Sequence, residues 1–427
     1  MLDGSTVVGF RQLLWNRRML LCLALGFSSG LPLYVTMTLL QAWLHREGVS
    51  LRDIGLFNLT GLPYTWKFIW APLLDRYPLP FLGRRRGWGL VTQLALVASI
   101  AGLGWLDPKG SPASVAVLAV LVAFFSATQD IVLNAYQREI LPDRELGLGT
   151  AMHVNAYRLA ALVPGSLALV LADHLPWSLV YATVAAFMLV GILASLFGPE
   201  GVYPAPPPAT LEEAIVGPFR EFFARQDRVA AVLVLLFMLL YKFGDSLAAA
   251  LVTPFYLQVG FTLTEVGVVV KGAGAPATIV GLFLGGFIIS RIGINRALWV
   301  FGVGQLVSTL GFALLARLGP DVGALAGVVG FEYLASGLGT AAFGAFIARS
   351  TDQRFTATQF ALFSSLIALP RTAASAATGF LVEAIGYGPF FVVCAALGIP
   401  GMTLLIKVAP WSATPAVPPS AAPVGID

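Results

Sequence analysis

The chain has 427 residues, of which 57% are hydrophobic and only 11% charged, whereas about a quarter of the residues of a soluble domain carry charge. With a mean hydropathy of +0.82 it cannot hide its apolar surface in water, so composition excludes a soluble enzyme and points to an all-α membrane protein. The net charge of +4 does not signal nucleic acid, because the basic residues sit in alternate loops and not on one face or in one domain.

The first apolar run begins near Met19. It is too long for the apolar core of a cleavable signal, and no small-residue cleavage site follows, so it reads as a retained anchor. Apolar runs set against charged punctuation predict spans near 19–44, 53–74, 87–106, 113–135, 150–172 and 177–197, then 229–255, 264–290, 297–317, 322–349, 357–384 and 387–409. At 1.5 Å per residue each can cross a hydrocarbon layer about 30 Å thick, and the short gaps make neighbours antiparallel. Cys22 and Cys394 fall inside apolar runs and read as small buried hydrophobes, with no disulfide or zinc site in prospect.

The amino terminus, the loops after even-numbered spans and the carboxyl tail hold 17 of the 26 Lys and Arg residues, against four in the opposite loops. By the positive-inside rule both termini are expected in the cytoplasm. A polar linker at 198–228, opening with a proline run and continuing into an amphipathic stretch, separates an amino-terminal bundle (1–197) from a carboxyl-terminal bundle (229–410). A disordered cytoplasmic tail is expected at 411–427. The halves echo each other, Leu51-Arg-Asp-Ile-Gly55 recurring as Leu263-Thr-Glu-Val-Gly267 and Arg158-Leu-Ala-Ala161 as Arg371-Thr-Ala-Ala374. Transporters built from such repeats bind their cargo between the halves, near the bilayer midplane.

Eight ionisable residues fall within spans and clear of their ends: Lys67, Arg158, Lys242, Lys271, Arg371, Asp130, Asp245 and Glu332. Facing lipid they would cost roughly 20–28 kcal/mol in total, so they must face water, cargo or one another. Five cations against three acids leave an excess of two positive charges, which an anionic ligand would neutralise. Depth along the helices groups Lys67 with Asp130 and Arg158 in one half, and Lys242 with Asp245, Glu332 and Arg371 in the other. Proton coupling needs an acid whose exposure changes, and the three acids are the candidates. Asp130 is favoured because Ser126-Ala-Thr-Gln-Asp130 interrupts an apolar helix with polar groups that have no evident packing use. His45, His153 and His174 map to span ends or loops without metal-like spacing. No nucleophile elbow or phosphate-binding loop is present, so no enzyme, cofactor or ATP coupling is expected, and the energy source is a proton gradient.

After the second span the chain reads Asp75-Arg76, then Gly83-Arg84-Arg85-Arg86, and after the eighth Arg291-Ile-Gly293-Ile-Asn-Arg296, with Ser290 where the acid would stand. This resembles the loop signature of the major facilitator superfamily, a fold of twelve transmembrane helices in two six-helix bundles. An acid at a helix end beside several arginines can latch two helices and release them, making Asp75, Arg76, Gly83, Arg84, Arg85 and Arg291 the candidate gating loop.

Longer strings sharpen the likeness: Gly26-Phe-Ser-Ser-Gly-Leu-Pro-Leu33, Leu40-Gln-Ala-Trp43, Lys67-Phe-Ile-Trp-Ala-Pro-Leu-Leu-Asp-Arg-Tyr77, Ser126-Ala-Thr-Gln-Asp-Ile-Val132, Tyr241-Lys-Phe-Gly-Asp245, Glu265-Val-Gly-Val-Val-Val-Lys271 and Ala357-Thr-Gln-Phe-Ala-Leu362. Together they resemble the AmpG-type permeases of Gram-negative bacteria. The resemblance implies proton-driven import of N-acetylglucosaminyl-anhydro-N-acetylmuramyl peptides across the inner membrane, for cell-wall recycling and β-lactamase induction. It implies functional roles for Gln129, Asp130, Lys67, Lys242, Asp245 and Lys271, with Arg158, Arg371 and Gln41 as further substrate-binding candidates and Tyr34, Trp43, Trp66 and Tyr241 placed to stack on sugar faces. Asn134 departs from members that carry an acid there. The expected partners are an anionic glycopeptide and the bilayer, the expected state a monomer. A carrier of another anionic metabolite, such as an acyl-coenzyme A, and a drug/proton antiporter remain open alternatives.

Overall fold

The computed structural model describes residues 16–49, 57–199, 201, 206–225, 227–352 and 354–412, without the side chains at 58, 144, 263, 264, 271 and 368–377. The Leu51–Gly55 string, the start of the proline run at 202–205, the tail from 413 and the side chains of Lys271 and Arg371 lie outside the described residues.

Among the described residues nine helical stretches are long and apolar enough to cross a membrane. They supply the first span (Arg17–Arg46), the third to seventh (Gly83–Leu103, Pro112–Ile140, Leu146–Ala172, Trp177–Phe197 and Arg228–Val259), the tenth (Val322–Ser350) and the twelfth (Tyr387–Val408). The ninth stretch, Glu265–Leu318, is two spans. Its backbone leaves the helix at Gly293, with φ 82° and ψ 161°, a conformation only glycine adopts cheaply, and turns the chain back. The eleventh helix (Thr356–Ile385) and a broken second span over 58–76 complete the six-plus-six arrangement.

That second span is where the expectation of one continuous helix fails. The chain forms a 3₁₀ turn at Asn58–Gly61, α turns at Leu62–Trp66 and Ala71–Arg76, and a second 3₁₀ turn at Lys67–Ile69. Pro63 and Pro72 each remove a backbone donor and fit only the opening turn of a helix, so each starts a new piece. Wider π turns interrupt the first, fifth and eighth spans at Val35–Leu39, Val163–Leu167 and Val270–Gly274, the kind of local expansion that often marks working segments of a helix.

Each bundle is held by close helix contact. A Cβ on Gly26 would lie 2.1 Å from the His153 carbonyl oxygen, so the first and fifth spans touch backbone to backbone. The cores reveal the relation of the halves. One apolar cluster, with Leu31, Trp43 and Tyr181, belongs to the amino-terminal bundle alone, and another, with Phe255, Phe312 and Phe391, to the carboxyl-terminal bundle alone. A third joins Cys22, Tyr136 and Leu148 of one bundle to Phe237, Ile289 and Phe346 of the other. This shared core lies at the end that carries the basic loops, so the bundles are sealed there, whereas towards the opposite end each has an apolar core of its own among the described residues.

The linker forms a helix, Leu211–Ala224, whose Thr210 hydroxyl accepts from Glu213 N at 3.0 Å while the Glu213 carboxylate accepts from Ala209 N at 2.7 Å. It lies across the sealed end, where Gln359 of the eleventh helix donates to Pro218 O at 3.0 Å and to Glu221 Oε2 at 2.8 Å.

The seal has a narrow tolerance. A Cβ on Gly286 would meet Leu148 Cα at 2.8 Å and Gly147 O at 2.9 Å, across the bundle boundary. Gly286→Val is therefore expected to wedge this end open, at about 1–3 kcal/mol of overpacking. A cysteine at Thr150 beside this contact should then label severalfold faster from the basic-loop side than in the parent protein; an unchanged rate would contradict the close approach.

Candidate functional site

The sealed end is fastened by a carboxylate. Asp75 closes the last turn of the second span, is fully buried, and accepts from Arg85 Nη2 at 2.7 Å and Arg84 Nη2 at 3.3 Å. It also reaches the other bundle, accepting from Thr358 N at 2.8 Å, Thr358 Oγ1 at 2.6 Å and Ala357 N at 3.3 Å. Those amides belong to the first turn of the eleventh helix, where N–H groups have no partner in their own helix and the helix dipole favours an anion. One bundle thus caps a helix of the other. Arg85 also donates to Glu139 Oε1 at 2.9 Å, while Arg84 donates to Arg354 O at 2.6 Å and Arg138 to Ala348 O at 2.7 Å, both across the boundary.

The turn that delivers these arginines runs through Leu82 (φ 56°) and Gly83 (φ 70°). Arg76 and Arg291 are placed differently, over their neighbours Tyr77 and Phe287 at 5.2 and 5.0 Å, without a described bond to the opposite bundle. In the half that lacks the acid, Asn295 Oδ1 accepts from Arg349 at 2.6 Å, within the same bundle.

Further into the molecule lie two polar clusters, one per bundle. In the amino-terminal cluster Lys67 and Asp130 form an ion pair, to which Ser29 donates at 3.0 Å and Asn134 at 2.9 Å. The broken second span explains the geometry, since Lys67 sits in the 3₁₀ turn that faces the fourth helix. The polar run before Asp130 has a packing use after all. Ser126 accepts from Tyr64 at 2.7 Å and Thr128 from Trp70 at 3.0 Å, holding the second span, while buried Gln129 donates to Ser28 O at 2.7 Å and holds the first. His153, expected at a span end, is buried within the fifth helix and in electrostatic reach of Asp130, because that helix starts at Leu146, four residues earlier than its apolar run.

In the carboxyl-terminal cluster Lys242 pairs with Asp245 at 3.0 Å, Gln305 donates to the same Asp245 oxygen at 3.3 Å, and Ser308 donates to Glu332 at 2.5 Å. Between the clusters stands Arg158. It is exposed, lies in electrostatic reach of Tyr34 of the first span and Tyr333 of the tenth, and among the described residues has no carboxylate within ion-pair distance. With Lys271 and Arg371 outside the described side chains, three cations face three acids, and Arg158 is the one left unmatched in space.

The aromatic candidates divide. Tyr34 is half-buried, edge-on to Tyr157 at 6.0 Å, and Trp66 is exposed beside Phe68. Tyr241 and Trp43 are corrections to the expected sugar platforms, for both are buried in bundle cores. Tyr241 stacks on Phe343 and donates to Leu298 O at 2.9 Å, and Trp43 packs on Trp177 and Tyr181. Gln41 is half-buried in the first span. Between the polar centre and the Asp75 seal lies a cavity of about 250 Å³, lined from both bundles by Asn134, Gln137, His153, Thr340 and Ser364.

Two bundles joined by a shared core at one end, each with a polar cluster of its own further in, have the build of a membrane carrier whose cargo site lies between the halves. The family model described as Major Facilitator Superfamily matches residues 20–375. Over 391 residues the chain is 45% identical to an anhydromuropeptide permease of Escherichia coli strain K12, covering 91% of this chain and 79% of that protein. It is also 45% identical over 411 residues to an uncharacterized protein of Haemophilus influenzae, covering 93% and 96% of the two chains. Among solved structures it superposes on FucP in the outward conformation with a TM-score of 0.70 at 15% identity, over 94% of this chain and 100% of that one. The chain belongs to the major facilitator superfamily and, within it, to the AmpG-type permeases. It is a multi-pass protein of the bacterial inner membrane that carries a small molecule.

Proposed function

We propose that the protein is a proton-coupled importer of anionic anhydromuropeptides, acting as a monomer with both termini in the cytoplasm, without cofactor or catalytic activity. The observation that carries the cargo is the 45% identity, along 91% of the chain, to a permease whose name states it. Arg158 supports it from the physical side. An exposed guanidinium between the bundles, with no carboxylate of its own, suits a peptide carboxylate that arrives from the open end. The cavity of about 250 Å³ is smaller than the roughly 300–1,000 Å³ typical of ligand sites, so it supports a path that widens after cargo has bound above it.

The direct test is uptake of labelled anhydromuropeptide into vesicles containing the protein, with and without an uncoupler. Uptake that ignores the uncoupler would refute proton coupling, and absence of uptake would refute the cargo. For Arg158→Gln we expect KM to rise about tenfold or more, in line with the roughly 1.5–3 kcal/mol of a hydrogen bond to a charged group. A cargo whose peptide carboxylates are amidated should show no such difference between parent and variant. A KM unchanged for the natural cargo would remove Arg158 from the binding site.

A further inference from the structure

The second, seventh and eleventh spans and the linker helix leave a groove between them. It encloses about 380 Å³, walled by Trp66 and Phe68 of the second span, Phe219 and Phe223 of the linker helix, Leu235 of the seventh span and Leu366 of the eleventh. That volume is within the range of ligand sites, and the groove shares no lining residue with the cavity at His153.

The walls say what kind of guest fits. Three polar residues line them, and two are already engaged: Gln359 donates to Pro218 O at 3.0 Å and to Glu221 Oε2 at 2.8 Å, and Ser365 donates to the carbonyl of the third, Thr65, at 3.3 Å. The rest of the lining is aromatic or aliphatic and carries no charged side chain. Water or a glycopeptide would give up hydrogen bonds on entering, whereas a hydrocarbon chain gives up none.

The mouth says where the guest comes from. Trp66 and Phe219 are 52% and 49% exposed, and each belongs to a row of exposed apolar side chains. Leu62, Ile69 and Leu73 continue the row on the second span, and Leu211 and Ile215 continue it on the linker helix. The seventh span adds Val229, Val232 and Leu236. On a multi-pass membrane protein such rows are the surface that meets lipid, so the groove is a recess in that surface.

Depth agrees. At 1.5 Å per residue Leu235 lies about 10 Å below the start of its helix at Arg228, and residues 359–366 lie about 5–15 Å below the start of theirs at Thr356. This is the level of the acyl chains in one leaflet, half of a hydrocarbon core about 30 Å thick. Arg228 is exposed, has no ion pair among the described residues, and stands seven residues before Leu235, on the same face of the helix. It is placed at the surface above the groove, where a guanidinium suits a phosphate.

We propose that the groove is a phospholipid site, in which one acyl chain lies between the second, seventh and eleventh spans under the linker helix, with the lipid phosphate at Arg228. The walls come from both bundles, so the chain is held only while the second span stays against the eleventh. A ligand that binds one arrangement more tightly shifts the balance toward it, and the bound lipid therefore braces the sealed end. The site depends on the packing of the bundles and not on the identity of the cargo.

The test uses the full-length protein in phosphatidylethanolamine liposomes with a trace of the same lipid bearing a diazirine midway along one acyl chain. After illumination, label should concentrate on 218–223, 235 and 359–366, severalfold above Val91 and Leu94, exposed apolar residues of the third span that report contact with bulk lipid. Filling the groove with Leu235→Trp and Leu366→Trp together should lower it to the bulk level, and Arg228→Gln should lower it severalfold. Label no higher than at Val91 and Leu94 in the parent, or undiminished in the filled variant, overturns the site; label unchanged in Arg228→Gln overturns the phosphate contact. If the double variant does not fold, Leu366→Trp alone must reduce the label, and an unreduced label overturns the site as well. For the brace, spin labels on cysteines at Tyr77 and Trp411 are followed in detergent while phosphatidylethanolamine is added. The short-distance population should grow in the parent and stay constant in the filled variant; equal responses overturn the brace.

Discussion

Asp130→Asn is expected to abolish uptake and to cost about 3–5 kcal/mol of stability, because it leaves the buried Lys67 ammonium without its anion. The Asn can still accept from Ser29, but it cannot match a charge. The informative comparison is the double variant Lys67→Met, Asp130→Asn, which removes both charges together. Replacing a whole buried pair by neutral groups is often nearly neutral or stabilising, so the double variant should regain most of the lost stability. Uptake should stay absent in both. Thermal unfolding and vesicle uptake measured side by side decide the matter. Transport restored along with stability would reduce the pair to scaffolding.

The second large effect is expected at the seal. Asp75→Ala removes the acceptor for two guanidinium groups, two amides of the eleventh helix and the Thr358 hydroxyl. Hydrogen bonds to a charged group are worth about 1.5–3 kcal/mol net, and a lost helix cap about 1 kcal/mol. A shift of about 3 kcal/mol changes the balance between the two access states roughly a hundredfold. Spin labels on cysteines at the exposed positions Tyr77 and Trp411, one in each half, should report a longer distance in Asp75→Ala than in the parent. Asp75→Asn, which keeps one acceptor oxygen, should fall between them. An unaltered distance distribution would show that the shared apolar core alone keeps this end shut.

Much of this design is legible in the residues themselves. Apolar runs and basic loops locate the spans, because a backbone in lipid must satisfy itself and helices are how a single chain does so. A rise of 1.5 Å per residue is enough to bring Lys67 and Asp130 to one depth, so that pair can be read from helix spacing alone. Rotation about a helix axis relative to a distant helix is not encoded locally, and the missed features share that cause. The Asp75 carboxylate finds its partner Thr358 283 residues away. Depth places Glu332 with Asp245, but nothing local marks Gln305 and Ser308 of a third helix as the residues that bond to them. Tyr241 and Trp43 have the same composition signal as a sugar platform, but face inward. The broken second span is signalled by Pro63 and Pro72, and the place of His153 by the polar but helical start at Leu146.

Among the described residues the interior ion pairs stay within one bundle, Lys67 with Asp130 on one side and Lys242 with Asp245 on the other, while Arg158 has no carboxylate partner. Among the described residues no ion pair bridges the halves at mid-depth. A rocking motion therefore separates neither of these pairs in the oily middle of the bilayer. The charged bonds that join the halves, those of Asp75, Arg84 and Arg138, lie at the basic-loop end, where water can take over each one as it lets go, so a tight closure and a quick reversal are compatible in the same molecule.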